Sequence, residues 1–106
     1  MGYRYYLYGS DKMSPQEVRD ALSTSLGLSF DARQSDFKGG TYHLADVRDS
    51  GKITVEENWE DEEGYLAEPA FPTYFTLVYV TEPATHVLSA LENAGLLQRL
   101  KMSCVD

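Results

Sequence analysis

One cysteine, two histidines, and a thirteen-residue stretch without a single lysine or arginine are the shortages that first constrain this chain of 106 residues. With Cys104 alone no internal disulfide framework can form, and such usage fits a reducing compartment. His43 and His86, without a second cysteine or a spaced carboxylate set, make a poor zinc site. Long apolar runs are missing too. Nothing approaches the roughly 18 residues a membrane span needs, and MGYRYYLYGSDK at the start holds no apolar stretch of signal-peptide length. No membrane association is expected, and the cytoplasm is the expected location.

What is present has ordinary globular character. Hydrophobic residues make up 42% and charged residues 25%, enough to bury a working core in one domain spanning 1–106. The formal charge of −8 becomes informative once it is placed along the chain. Residues 1–55 carry seven basic and seven acidic residues, and residues 73–106 carry a net of −1. The segment 56–68 holds Glu56, Glu57, Glu60, Asp61, Glu62, Glu63 and Glu68 with no counter-charge, so −7 of the −8 is local.

The residue order predicts the elements. Tyr3–Tyr8 is rich in strand-forming aromatics. Ser14-Pro15-Gln16-Glu17 combines a cap, proline at the first helical position and a capping-box glutamate; Val18, Ala21, Leu22, Ser25 and Leu26 follow at helical spacing up to Gly27. Phe30–Arg33 reads as a short strand. Thr41–Val47 and Ile53–Glu60 flank Asp49-Ser50-Gly51, predicting a hairpin with a three-residue loop and Gly51 at positive φ. That register opposes Val47 to Ile53, Ala45 to Val55, His43 to Glu57 and Thr41 to Trp59. Residues 61–73, with Gly64, Pro69 and Pro72, read as loop. Tyr74–Val80 is apolar on both faces and reads as a central strand. Pro83 opens a second helix with Val87, Leu88, Leu91 and Ala94 inward, Gly95 stops it, and a last strand runs through Leu100, Met102 and Cys104. The whole predicts an α+β fold of ferredoxin-like plan. Its mainly antiparallel sheet has four to six strands, both helices lie on one face, and the other face is open.

Candidate chemistry is thin. A His43–Glu57 pair has the composition of a base and its orienter, but no nucleophile motif accompanies it, and a cross-strand polar contact accounts for it. The run Glu60-Asp61-Glu62-Glu63-Gly64 lacks the alternating ligand spacing and flanking helices of a calcium-binding EF-hand. Gly39-Gly40 is too short to cradle a phosphate, and Cys104 in an alternating strand is a small core residue before it is a nucleophile. No enzyme activity, metal or cofactor is expected. Acidity disfavours direct nucleic-acid contact, because phosphate is repelled. Trp59, Tyr65 and Phe71 bracket the acids, and that combination suits a protein interface in which aromatics anchor and charge steers. The plainer reading is a solvated acidic loop with Trp59 in the core.

Small size, marked acidity, one acid–aromatic segment and no catalytic set give the chain a resemblance, in overall character, to the immunity proteins of bacterial toxin–immunity systems, including contact-dependent and polymorphic toxins. The resemblance implies a basic protein partner, a cognate toxin of nuclease or deaminase type. It assigns binding to Glu56, Glu57, Trp59, Glu60, Asp61, Glu62, Glu63 and Tyr65. Rival readings are a nucleic-acid mimic, a ferredoxin-like module that binds a small ligand or regulates, and a dimeric ferredoxin-like enzyme using His43 or His86.

Overall fold

The computed structural model describes residues 3–35, 40–46, 51–83, 85–93, 95 and 97–105. Its elements run β1 (Tyr3–Ser10), α1 (Pro15–Leu26), β2 (Asp31–Ser35), β3 (Gly40–Asp46), β4 (Lys52–Glu57), β5 (Thr76–Thr81), α2 (Thr85–Asn93) and β6 (Gln98–Val105). Asp49, Ser50, Val47, Gly39 and Ala94, and the side chains of His86 and Cys104, lie outside what is described. No helix among the described residues is long and apolar enough to cross a membrane.

Helix α1 forms where its local signals place it. The Ser14 hydroxyl accepts from the Glu17 amide at 3.2 Å, the Glu17 carboxylate accepts from the Ser14 amide at 3.1 Å, and Gly27 ends the helix in the left-handed region. Val18 and Leu22 bury themselves against the sheet, as do Val87 and Leu91 of α2. The sheet supplies Tyr6, Tyr8, Ile53, Val55, Val78 and Val80 to the same cluster, so both helices pack on one face.

The six strands are antiparallel to their neighbours in the order β2-β3-β4-β5-β1-β6. β1 and β5 are adjacent, as the aromatic and doubly apolar runs predict, but the middle pair of the sheet is β4 and β5, and β1 lies next to the edge strand β6. β5, α2 and β6 form a split unit with β1 inserted, a feature shared with the ferredoxin-like plan, as are the antiparallel sheet and the placing of both helices on one face. The rest of the order departs from it, because β2, β3, β4 and β5 form a continuous meander that carries β2 to the far edge.

Two further expectations are corrected. His43 lies opposite Val55 and Ala45 opposite Ile53, a shift of two residues from the predicted pairing. The shift is even, so every residue keeps its face. The His43–Glu57 pair is lost, however, because Asp46 already pairs with Lys52 and the intervening loop is longer than three residues. The face away from the helices is open only in part: Leu7 is 4% exposed and Leu77 fully buried, whereas Tyr5 on the same face is 40% exposed. Part of the cover comes from residues 58–75.

Gly51 has φ of 69°, and a Cβ there would run into the Thr81 carbonyl of β5. Left-handed backbone and steric conflict together predict that Gly51→Ala lowers stability by about 2–4 kcal/mol, read from urea unfolding midpoints. His43 is buried with no hydrogen-bond partner for Nδ1 among the described residues. Burial pulls its imidazole below the usual 6.5, the Arg19 guanidinium acts in the same direction, and Asp20 opposes. The folded chain therefore takes up this proton less readily than the unfolded chain. Stability from this group is complete above about pH 6.5 and declines as pH falls toward the lowered folded value. His43→Leu is expected to flatten the decline between about pH 7.5 and about pH 5.5, measured as the difference in unfolding midpoint from wild type.

Candidate acid–aromatic binding face

β4 ends at Glu57, and the next residue organises everything up to β5. Asn58 is buried, and its amide hydrogen donates to the Phe75 carbonyl at 2.8 Å, closing the mouth of the 58–75 excursion. Its side-chain nitrogen lies 3.0 Å from the Phe71 carbonyl, 3.1 Å from that of Tyr74 and 3.5 Å from that of Glu68. Its side-chain oxygen accepts from the Glu68 amide at 2.9 Å. A primary amide is suited to this position because it carries both donors and an acceptor. Phe71 and Tyr74 meet edge to face inside the excursion, with ring centroids 6.4 Å apart. Phe71 thus serves the loop's own packing.

Within the excursion, residues 59–67 form a small hairpin. The Ala67 amide donates to the Trp59 carbonyl, the Asp61 amide donates to the Tyr65 carbonyl, and Glu60 bridges to Leu66. The Asp61 carboxylate accepts the amides of Glu63 and Tyr65, each at 2.9 Å, which holds the turn closed. The segment expected as loop is therefore tightly hydrogen bonded.

This arrangement separates the eight sequence-derived candidates. Glu60, Glu62 and Glu63 are exposed, and Tyr65 is 63% exposed. Trp59 is half-buried, and Asp61 is occupied by its own turn. Glu57 is exposed but shares the strand face of Ile53 and Val55, the helix side, so it stands away from the hairpin. Glu56 is only 4% exposed, on the sheet face beneath the hairpin, and so is removed from the outer surface on which it was expected.

Beneath the hairpin lies a cleft of about 350 Å³ lined by Glu56, Trp59, Asp61, Tyr65, Leu66, Ala67 and Tyr79. A shallower hollow of about 270 Å³ shares Trp59 and Asp61 with it and adds Glu62 and Glu63. Glu56 and Tyr79 are diagonal neighbours on β4 and β5. The Tyr79 hydroxyl donates to Glu68 at 3.0 Å. Its proton is held well above the usual phenol value of 10.0, first by burial, then by the charges of Glu68 and Glu56 and by that hydrogen bond. Tyr79, Glu68, Leu66 and Ala67 were missed in the sequence; the one available signal was a tyrosine hydroxyl in a doubly apolar strand, which needs a partner once buried. No group of three or more His, Cys, Asp or Glu among the described residues is placed to hold a metal ion.

No protein-family model, curated protein or solved structure matches the chain.

Replacing Asn58 with alanine strands three backbone carbonyls and one amide in a buried setting. At roughly 1 kcal/mol for each of the four lost hydrogen bonds, Asn58→Ala is expected to cost about 4 kcal/mol. It should also shift Trp59 emission toward that of a solvated indole before global unfolding. An unchanged emission spectrum together with an unchanged midpoint would remove Asn58 from this role.

Proposed function

We propose that the protein is a binding and inhibitory module without catalysis of its own. It docks a basic protein surface through hairpin 59–67, acts in the cytoplasm, and neutralises a toxin domain as immunity proteins do. The observation that carries this reading is the state of the three outward glutamates. Glu60, Glu62 and Glu63 are held on a hydrogen-bonded hairpin, and among the described residues none of them forms an ion pair. Like charges held close repel, and a basic partner relieves that repulsion while losing little conformational freedom in return, because the hairpin is already ordered. Tyr65 beside them supplies an amphipathic contact of the kind enriched at interfaces. Fields of this sort raise association rates and fade with salt, since the screening length is about 8 Å at physiological ionic strength.

The test is co-expression and binding with the product of the adjacent gene. Glu60→Lys, Glu62→Lys and Glu63→Lys are made together, and Asp61 is left intact because its carboxylate closes the turn. The triple variant is expected to keep its circular dichroism melt. Its association should slow by about 10- to 1,000-fold at low ionic strength, with the salt dependence flattened. Binding at the wild-type rate with the wild-type salt slope would reduce the segment to a solvated acidic turn.

A further inference from the structure

We infer that β2 is a self-association edge: two copies of this chain join β2 to β2 antiparallel, in the register that sets Asp31 of each opposite Arg33 of the other. β2 ends the sheet order, and Asp31, Ala32, Arg33 and Gln34 are all exposed. An edge strand leaves a row of backbone donors and acceptors unpaired, and proteins blunt such edges with bulges, lysine or proline. The opposite edge is blunted in this way. In β6 the register against β1 shifts between Lys101 and Arg99, which leaves Leu100 as a bulge with Lys101 beside it. β2 has none of these devices. All five of its residues pair with β3 in unbroken register, and Asp31-Ala32-Arg33-Gln34-Ser35 contains no lysine, proline or glycine. Helix α1 packs over β3, β4 and β5, so it stands inward of this edge and leaves the approach clear.

The charges on β2 select both the occupant and the register. Identical strands that pair antiparallel about a two-fold axis centre on one residue, which stands opposite its own copy. Centring on Asp31 or on Arg33 places like charges directly opposite each other, which is destabilising. Centring on Ala32 brings two small side chains together and sets Asp31 opposite the second copy's Arg33, twice by symmetry. Both charge pairs lie on the sheet face of Leu44 and Tyr42, the β3 partners of Asp31 and Arg33. Among the described residues neither Asp31 nor Arg33 forms an ion pair within its own chain. In the same register Gln34 of the second copy comes beside Phe30, which is only partly buried against the core. The acids of hairpin 59–67 do not oppose the join. They lie over β4 and β5, and in the order β4-β3-β2 followed by its mirror image β4 is five strand spacings from its copy, about 24 Å. That is about three screening lengths at physiological ionic strength.

Sedimentation velocity of the full chain between about 5 and about 500 µM is expected to show a monomer–dimer equilibrium. Its dissociation constant should be on the order of 100 µM, because a seam this short falls among the weak interfaces. Asp31→Arg alone and Arg33→Asp alone each set like charges opposite one another and should weaken the dimer about tenfold. The double variant, Asp31→Arg with Arg33→Asp, restores opposite charges and should return to within about threefold of wild type. An equimolar mixture of the two single variants should form the mixed dimer, since arginines on one strand then face aspartates on the other. If a single variant lowers the circular dichroism melt, hydrogen exchange of wild-type amides 31–35 replaces it, and slower exchange at high than at low chain concentration is expected. A monomer throughout the concentration range, or amide exchange independent of concentration, would overturn the seam. So would dimers insensitive to the single variants, or losses that neither the double variant nor the mixture repairs.

Discussion

Where β4 runs out of ladder partners, the side-chain amide of Asn58 continues the hydrogen bonding for eighteen residues. Buried backbone groups must be paired, and a long connection laid over a sheet face has many of them to satisfy. Asn58 meets three carbonyls and one amide from a single position, and its own backbone closes the excursion against Phe75. The path of residues 58–75 follows from that, and with it the position of the hairpin over Glu56 and Tyr79. An acidic segment of the same composition on a loose tether would have charge but no cleft.

The excursion turns one run of acids into groups with different physical roles. Asp61 spends its carboxylate on two amides of its own turn. Glu68 holds the Tyr79 hydroxyl. Glu56 is sealed beneath the hairpin, while Glu60, Glu62 and Glu63 face water. The outer acids lie in water, whereas the Glu56 charge acts on the neighbouring Tyr79 hydroxyl across the sheet face. The rings of Trp59, Tyr65 and Tyr79 line the cleft between them.

The sheet beneath the hairpin is firmly packed. β5 is buried on both faces, with Thr76, Leu77, Val78 and Val80 fully enclosed. The Thr76 hydroxyl donates to the Met13 carbonyl at 2.6 Å and ties the entry to α1 onto the central strand. Tyr6 and Tyr8 stack along β1, and Tyr8 reaches Glu92 of α2. Burial and that carboxylate push the Tyr8 phenol up to about 12. The helices thereby brace the strands from one side while the hairpin uses the other.

Features governed by residues close in sequence were legible without the structure. The capping box at Ser14 and Glu17, the left-handed glycine after α1, the positive φ of Gly51, and the burial of β5 on both faces follow from local backbone chemistry and side-chain period. So did the localisation of charge in residues 56–68. The hairpin register came out two residues away because loop length, which sets it, was read as three. Strand order escaped too, since an alternating pattern states that a strand has an inner face but not which strand lies beside it. The fate of each carboxylate was decided only in three dimensions. Glu56 and Glu57 are adjacent and chemically alike, yet one is enclosed and the other is solvated. Period two sends them to opposite faces, and what covers a face is settled by a chain segment that folds back from residues further on, held there by Asn58.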